Sequence, residues 1–233
     1  MKAIYLEDSY IRSFETVVEA AWDNSVSLKA TAFYPESGGQ PSDLGIISRD
    51  AEQFKVLKVE SAEGRNLHIL DREGLQPGDQ VFGSIDWDRR YRLMRSHTAC
   101  HILSAVIFQE TGARITGNQI DLHRSRVDFS LESFDRTKMM DYVQRANQIV
   151  TQNRKVASRF LTREEAASLP HLVKLAMDLS AGDCIRVVEI EGLDQQACGG
   201  THVKSTAEVK GIQLVKAENK GRSNRRAYFE LEE

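Results

Sequence analysis

Two pairs of residues carry side chains suited to hold a metal ion. "RSHTACHIL" contains His97 and His101, and "QQACGGTHV" contains Cys198 and His202, about a hundred residues further on. A helix turns about 100° and rises about 1.5 Å per residue, so histidines four apart project from one face on adjacent turns. In the second segment a thiolate and an imidazole flank Gly199 and Gly200, whose missing side chains let the backbone curl around an ion. Either pair alone is an ordinary surface or core feature. Together they offer three nitrogens and one sulfur, a full tetrahedral complement, and zinc suits such a mixed set without redox demands. One zinc per chain is therefore expected on His97, His101, Cys198 and His202. Four protein ligands normally close a structural site, so a structural and a catalytic ion are both open. Thr98 follows His97 where a zinc-protease helix requires Glu, which excludes that chemistry.

The first pair needs a helix to position it. In "DWDRRYRLMRSHTACHILSAVIFQETG", Asp86 or Asp88 can cap the start and Gly112 can end the helix. Met94, His97, His101, Ala105 and Phe108 recur at intervals of three and four, which predicts an amphipathic stripe. The same logic predicts a second helix in "DRTKMMDYVQRANQIVTQN" with Met140, Val143, Ala146 or Asn147, and Val150 inward. A third helix is expected at "TREEA", where Thr162 and Glu165 have capping-box spacing. Strand-like runs at "RVDFSL", "KVASRFLT", "CIRVVEI", "GIQLVKAE" and "RRAYFEL" complete a mixed α+β region, the last two forming a hairpin around "NKGRSN".

Upstream, "SVSLKATAFYP", "DLGIISRD", "QFKVLKVES", "NLHILD" and "QVFGSID" are short β-leaning runs separated by turn formers. They predict a small antiparallel β-barrel over residues 1–88, followed by the α+β domain over 89–233. The 233 residues carry 41% hydrophobic and 28% charged side chains with a net charge of −3, ordinary for a globular protein. No apolar run approaches the roughly 20 residues that span a bilayer, and the N-terminus has no signal-peptide core. A cytoplasmic protein with no membrane partner is expected. Three cysteines do not make a disulfide framework. Cys100 is expected as a buried thiol and Cys184 as a core residue, while His68, His123 and His171 have no evident metal partners.

"RSHTACHIL" followed far downstream by "ACGGTHV" resembles the editing domain of alanyl-tRNA synthetase and its free-standing AlaX relatives. "FYPESGGQPSDLG", residues 33–45, is similar to the glycine-rich signature of the barrel in the longer AlaX proteins, and "RVDFS" and "NKGRSNRRAYFEL" agree as well. The resemblance spans nearly the whole chain. It implies a zinc-dependent hydrolase that removes serine, and often glycine, wrongly attached to tRNA(Ala), with the metal in the editing pocket held by the four residues above. With the barrel starting almost at Met1, no aminoacylation domain is expected ahead of it, so editing would act in trans.

The resemblance also implies substrate contacts. Alanine is smaller than serine, so exclusion by size is impossible, whereas a group that bonds the seryl hydroxyl is left unpaired by alanine. Thr116 in "RITGNQ" is the expected reader, and Gly38, Gly39 and Gln40 form a loop expected to lean over the pocket. No Asp or Glu stands beside the ligands in sequence, so a ribose hydroxyl is the expected assistant in place of a protein base. Two basic clusters could meet tRNA phosphates: Arg89, Arg90 and Arg92 in "RRYRLMR", and Lys220, Arg222, Arg225 and Arg226 near the C-terminus. Competing expectations are a zinc-stabilised tRNA- or RNA-binding module without hydrolytic activity, and an editing enzyme of the threonyl system. The CGGTH form and the barrel signature point away from the latter.

Overall fold

The computed structural model describes residues 1–131, 136–169, 184–221 and 224–233. The chain divides into two compact units, Met1–Leu93 and Met94–Glu233. Among the described residues no helix is long and apolar enough to cross a membrane.

In the first unit the strands are β1 (Lys2–Ala3), β2 (Ser13–Trp22), β3 (Ser25–Leu28), β4 (Ala30–Thr31), β5 (Gly45–Arg49), β6 (Glu52–Ala62), β7 (Arg65–Leu70) and β8 (Gln80–Ile85). Six of them close a barrel in the order β2-β3-β7-β6-β5-β8, each pair antiparallel. This is the small antiparallel barrel expected from the spacing of β-leaning runs. Alternation fills it: in β8 the inward Val81, Gly83 and Ile85 are buried and the residues between them exposed, as a strand with one wet face requires. Phe14, Leu28, Phe33, Ile47, Phe54 and Leu70 supply much of its core. Gly45 is obligatory where β5 meets β8, because a Cβ there would lie 2.1 Å from the Ser84 carbonyl oxygen.

One barrel strand, β2, was not among the expected runs. Its sequence "SFETVVEAAW" lacks clean alternation because the β2–β3 register shifts between Val18 and Ala20. An extra residue there changes the face of everything beyond it.

The helix α1 (Trp87–Thr111) starts in the first unit and continues into the second. Asp86 Oδ1 accepts from the Arg89 N–H at 3.2 Å and caps it. Gly112, at φ 70°, ends it with its N–H on the Phe108 carbonyl. Every residue from Leu93 to Ile107 is buried, so the expected single apolar stripe is replaced by burial all round. Its polar residues find partners: Ser104 Oγ donates to the Cys100 carbonyl at 2.6 Å and Arg95 Nη2 to the Val209 carbonyl at 3.0 Å.

The second unit continues with β9 (Ile115–Gln119), β10 (Ser125–Phe129), α2 (Arg136–Thr151), β11 (Val156–Thr162), α3 (Arg163–Ala167), β12 (Cys184–Ile190), β13 (Asp194–Ala197), β14 (Ile212–Asn219) and β15 (Arg225–Leu231). They form a four-stranded sheet ordered β14-β15-β10-β9 and a three-stranded sheet ordered β11-β12-β13. Barrel, sheets and helices make an α+β fold, as expected. The Thr162–Glu165 capping box is formed reciprocally at the start of α3. In α2 the buried positions are Met139, Tyr142, Val143, Ala146 and Val150, while Met140 is 56% exposed; the inward face begins one residue earlier than its apolar periodicity indicated. Cys184 is exposed, not a core residue, because it is the first residue of β12, opposite Thr162 at the sheet's end.

Candidate metal centre

Helix geometry sets the first half of the site. His97 and His101 are both buried, with ring centroids 5.2 Å apart on adjacent turns of α1. The second half is built on β12 and β13. Their ladder extends one step beyond β13, where the Cys198 N–H bonds the Arg186 carbonyl at 3.0 Å. The chain then turns through Gly199 and Gly200, and the Gly200 N–H points at Cys198 Sγ from 3.4 Å. Arg186 holds the turn from behind: its Nη1 donates to the carbonyls of Cys198 at 2.7 Å and Gly200 at 3.0 Å. The turn brings the His202 ring to 4.3 Å from that of His97 and 4.6 Å from that of His101, between centroids.

One ligand atom from each of His97, His101, Cys198 and His202 falls within 4.8 Å of all the others. Cys198 Sγ is 3.7 Å from His97 Nε2 and 3.4 Å from His202 Nε2. Zinc bonds of about 2.3 Å to sulfur and about 2.05 Å to nitrogen, opened at a tetrahedral angle, place those atoms about 3.6 Å apart. The donor set and its spacing fit a tetrahedral ion.

Electrostatics favour the neutral, ligating imidazoles. Burial, then the charges of its neighbours His101 and Arg186, hold His97 well below the ordinary imidazole range. His202 is held down likewise by burial, with His97, His101 and Arg186 adding to the effect. Burial pushes the Cys198 thiol up, partly offset by the Gly200 N–H and by Arg186. A cation that takes the thiolate's charge removes that penalty.

Three residues of the centre were not anticipated. Arg186 clamps the turn. Thr98 places its Oγ1 3.1 Å from His202 Nδ1. Asp194 is buried with its Oδ2 3.9 Å from His101 Nδ1, so a carboxylate does stand beside the ligands, behind one of the rings. The signal for Asp194 was strand alternation: positions 194, 196 and 198 share one face of β13 and its extension.

The other expected site residues lie as follows. Thr116 is exposed, and its hydroxyl donates to Asn224 Oδ1 at 3.0 Å. β10 pairs Asp128 with Gly117 and Phe129 with Ile115, which makes Thr116 the extra residue of a bulge. Gly38 and Gly39, at φ 58° and 80°, are exposed in the first unit, and Gln40 beside them is fully buried. Arg89 is half-buried and donates twice to the Ser42 carbonyl, and Arg92 is half-buried. Lys220 is exposed and pairs with Glu218 at 3.1 Å. Lys216, then Lys220, holds the Glu218 carboxyl down to about 2.

Two arginines depart from the expected phosphate contacts. Arg90 is fully buried, its Nε 2.8 and 3.0 Å from the two Asp43 carboxylate oxygens. Arg225 is 4% exposed and its Nη1 ties down the loop through Asn219 Oδ1 at 2.8 Å and the Gly221 carbonyl at 2.6 Å. Both guanidiniums are spent on internal acceptors. Arg226 is half-buried and bidentate on Asp128 at 2.6 and 2.8 Å. Arg222 lies outside the described residues.

Comparison with known proteins identifies the family. Residues 4–89 match the family described as tRNA synthetases class II (A), and residues 185–228 match the threonyl and alanyl tRNA synthetase second additional domain. The chain is 49% identical over 239 residues to the alanyl-tRNA editing protein AlaX-M of Methanosarcina barkeri, covering 99% of this chain and 98% of that protein. It is 43% identical over 230 residues to AlaX-M of Saccharolobus solfataricus, covering 97% of each. It is also 35% identical over 221 residues to the alanine–tRNA ligase of Pyrococcus abyssi, matching 93% of this chain but 24% of the ligase. With convergent metal donors in one unit, a barrel in the other and relatives of matching length, the chain belongs to the AlaX-M family of alanyl-tRNA editing proteins.

Proposed function

We propose that the protein edits tRNA(Ala) in trans, as a zinc-dependent hydrolase that releases wrongly attached serine, and also glycine, from the terminal adenosine. The observation that carries the reading is the convergence of His97, His101, Cys198 and His202 on a volume of zinc-site dimensions. The printed names of the full-length relatives support alanyl-tRNA editing as the task.

Hydrolysis adds water across the bond between the aminoacyl carbonyl carbon and the ribose oxygen, restoring the ribose hydroxyl and freeing the amino acid. The chemistry zinc supplies when bound is polarisation of the ester carbonyl or acidification of a water. The three buried imidazoles and the partly exposed thiolate would hold that charge in place. Asp194 faces the outer nitrogen of His101, which suits a supporting carboxylate, so the adjacent ribose hydroxyl keeps its place as the assisting group. Deacylation at an undiminished rate of a substrate without that hydroxyl would remove this step.

Thr116 is the proposed reader of the seryl hydroxyl. Its place in a bulge supports this, since bulges re-aim side chains beside sites. Thr116→Val should keep zinc and raise hydrolysis of Ala-tRNA(Ala) relative to Ser-tRNA(Ala). Gly38, Gly39 and Gln40 are proposed to contribute to the acceptor-end pocket, and Arg89, Arg92, Lys220 and Arg226 to meet phosphates.

The closed set of four protein ligands also favours a second reading, a zinc-stabilised tRNA-binding module without hydrolysis. Deacylation assays with Ser-, Gly- and Ala-charged tRNA(Ala), beside Ser-charged tRNA(Thr), separate the two. Release of serine from tRNA(Ala), abolished by Cys198→Ala, supports editing. Retained RNA binding with no release from any of the four selects the binding module.

A further inference from the structure

We propose that Thr98 is the positioning residue that fixes the His202 ring for coordination through Nε2. The inference rests on the reading of the four donors as metal ligands. It goes beyond that reading by giving a role to a residue that binds no metal.

Thr98 follows His97 on α1 and is fully buried. Its Oγ1 is 3.1 Å from His202 Nδ1 and accepts the Val203 backbone N–H at 3.3 Å. His202 therefore turns one nitrogen toward Thr98, while its Nε2 stands 3.4 Å from Cys198 Sγ in the donor cluster. An imidazole that coordinates through Nε2 gives up that lone pair and must carry its proton on Nδ1. A buried N–H without an acceptor is costly, and Thr98 Oγ1 is the acceptor in reach.

A hydroxyl has two lone pairs. The ring N–H of His202 and the backbone N–H of Val203 together occupy both. Thr98 thus fastens the end of the CGGTH turn to the helix that carries His97 and His101, and selects the Nδ1–H tautomer of the fourth ligand. It occupies the position of a zinc-protease glutamate but would move no proton in the reaction; its work is to aim a ligand.

The side chain's shape and its chemistry are separable. Valine matches threonine in shape and lacks the acceptor, whereas serine keeps the acceptor and loses the methyl. We expect the full-length Thr98→Val protein to lose about 10- to 100-fold in zinc affinity, measured by competition with a chromophoric chelator. Thr98→Ser, which keeps the acceptor and loses one buried methyl, should restore affinity to within about threefold of wild type. Nitrogen-15 spectra of the zinc-loaded wild type should show His202 protonated on Nδ1, a readout that a role in packing alone would not produce. Wild-type affinity in Thr98→Val, equal losses in the Val and Ser proteins, or ligation of His202 through Nδ1 would each overturn the proposal. Failure of the wild type to bind zinc, or full affinity in Cys198→Ala, would overturn the metal reading itself and the role of Thr98 with it.

Discussion

Cys198 Sγ stands 3.7 Å from His97 Nε2, although the two residues are 101 positions apart in the chain. Neither half of the donor set is a site alone. α1 places two imidazoles on one face, and the β13 extension places a sulfur and a third imidazole. Only the folded second unit brings the halves together. Binding should therefore couple to the stability of that unit. We expect one zinc per chain by elemental analysis and a thermal midpoint that falls by several degrees when a chelator strips the ion. In Cys198→Ala the chelator should shift the midpoint little, because a three-ligand set binds far more weakly. A wild-type midpoint unmoved by chelator would show that the four donors do not hold the ion.

Arg186 supports the turn that carries Cys198. Its Nη1 meets two carbonyls, those of Cys198 and Gly200. Methionine at this position keeps much of the volume but leaves those acceptors without their donor. Each orphaned buried acceptor costs about 1–3 kcal/mol. The Gly200 bond is buried but the Cys198 bond only partly so, so Arg186→Met is expected to lose about 2–4 kcal/mol in urea unfolding, the lower part of the two-acceptor range, together with zinc affinity. Arg186→Gln, which keeps an N–H donor, should lose less of both.

Much of this architecture can be read from residue types, and the parts that cannot share a cause. The barrel follows from alternating short runs and their turn formers, and the four donors follow from helical spacing and a glycine turn. β2 escapes because a register shift breaks its period, and β13 because three of the four residues of "DQQA" are polar and two of those, Asp194 and Gln196, are the buried ones. Arg225 reads as a surface cation because its acceptors, Asn219 and Gly221, are residue types that any exposed turn carries. Arg90 does so because nothing near it in sequence announces a buried partner. Asp43 lies 47 positions from Arg90. Thr98 illustrates the same limit: next to His97 it shows only the absence of a glutamate, and its partner is 104 positions away. Periodicity and local spacing report which face a residue shares. They do not report what the fold sets opposite it.

The buried Arg90–Asp43 pair is expected to serve the first unit's stability and not RNA affinity. Arg90 also donates to the carbonyls of Ser9 at 2.9 Å and Ala32 at 2.6 Å, and Asp43 Oδ2 accepts the Tyr34 N–H at 2.6 Å. Breaking such a buried pair on one side leaves an uncompensated charge and costs about 3–5 kcal/mol. Arg90→Met should lower unfolding stability by that amount and leave the salt dependence of tRNA binding unchanged. Arg89→Gln should do the reverse, flattening the salt slope by about one phosphate contact with little loss of stability. A flattened slope in Arg90→Met would mean that its guanidinium reaches phosphate after all.

His68 gives the barrel a pH dependence of definite sign. It is fully buried, with Nε2 2.9 Å from Thr31 Oγ1 and Nδ1 3.1 Å from the Val26 carbonyl. Burial lowers its pKa from 6.5 to about 4. The folded protein therefore stays neutral at this ring while the unfolded chain binds a proton. Stability from this residue is fully present above about pH 6.5 and is lost as pH falls through the window down to about 4. Near pH 4.5 the loss should reach about 2–3 kcal/mol, at about 1.4 kcal/mol per unit of separation. An NMR titration of the His68 ring should give a midpoint near the lower end of that window. His68→Gln, though less stable at neutral pH, should show a shallower decline of stability between pH 7 and 4.5 in urea unfolding. A ring that titrates near 6.5 in the folded protein, or a decline as steep in the variant as in wild type, would mean that the buried imidazole does not control this slope.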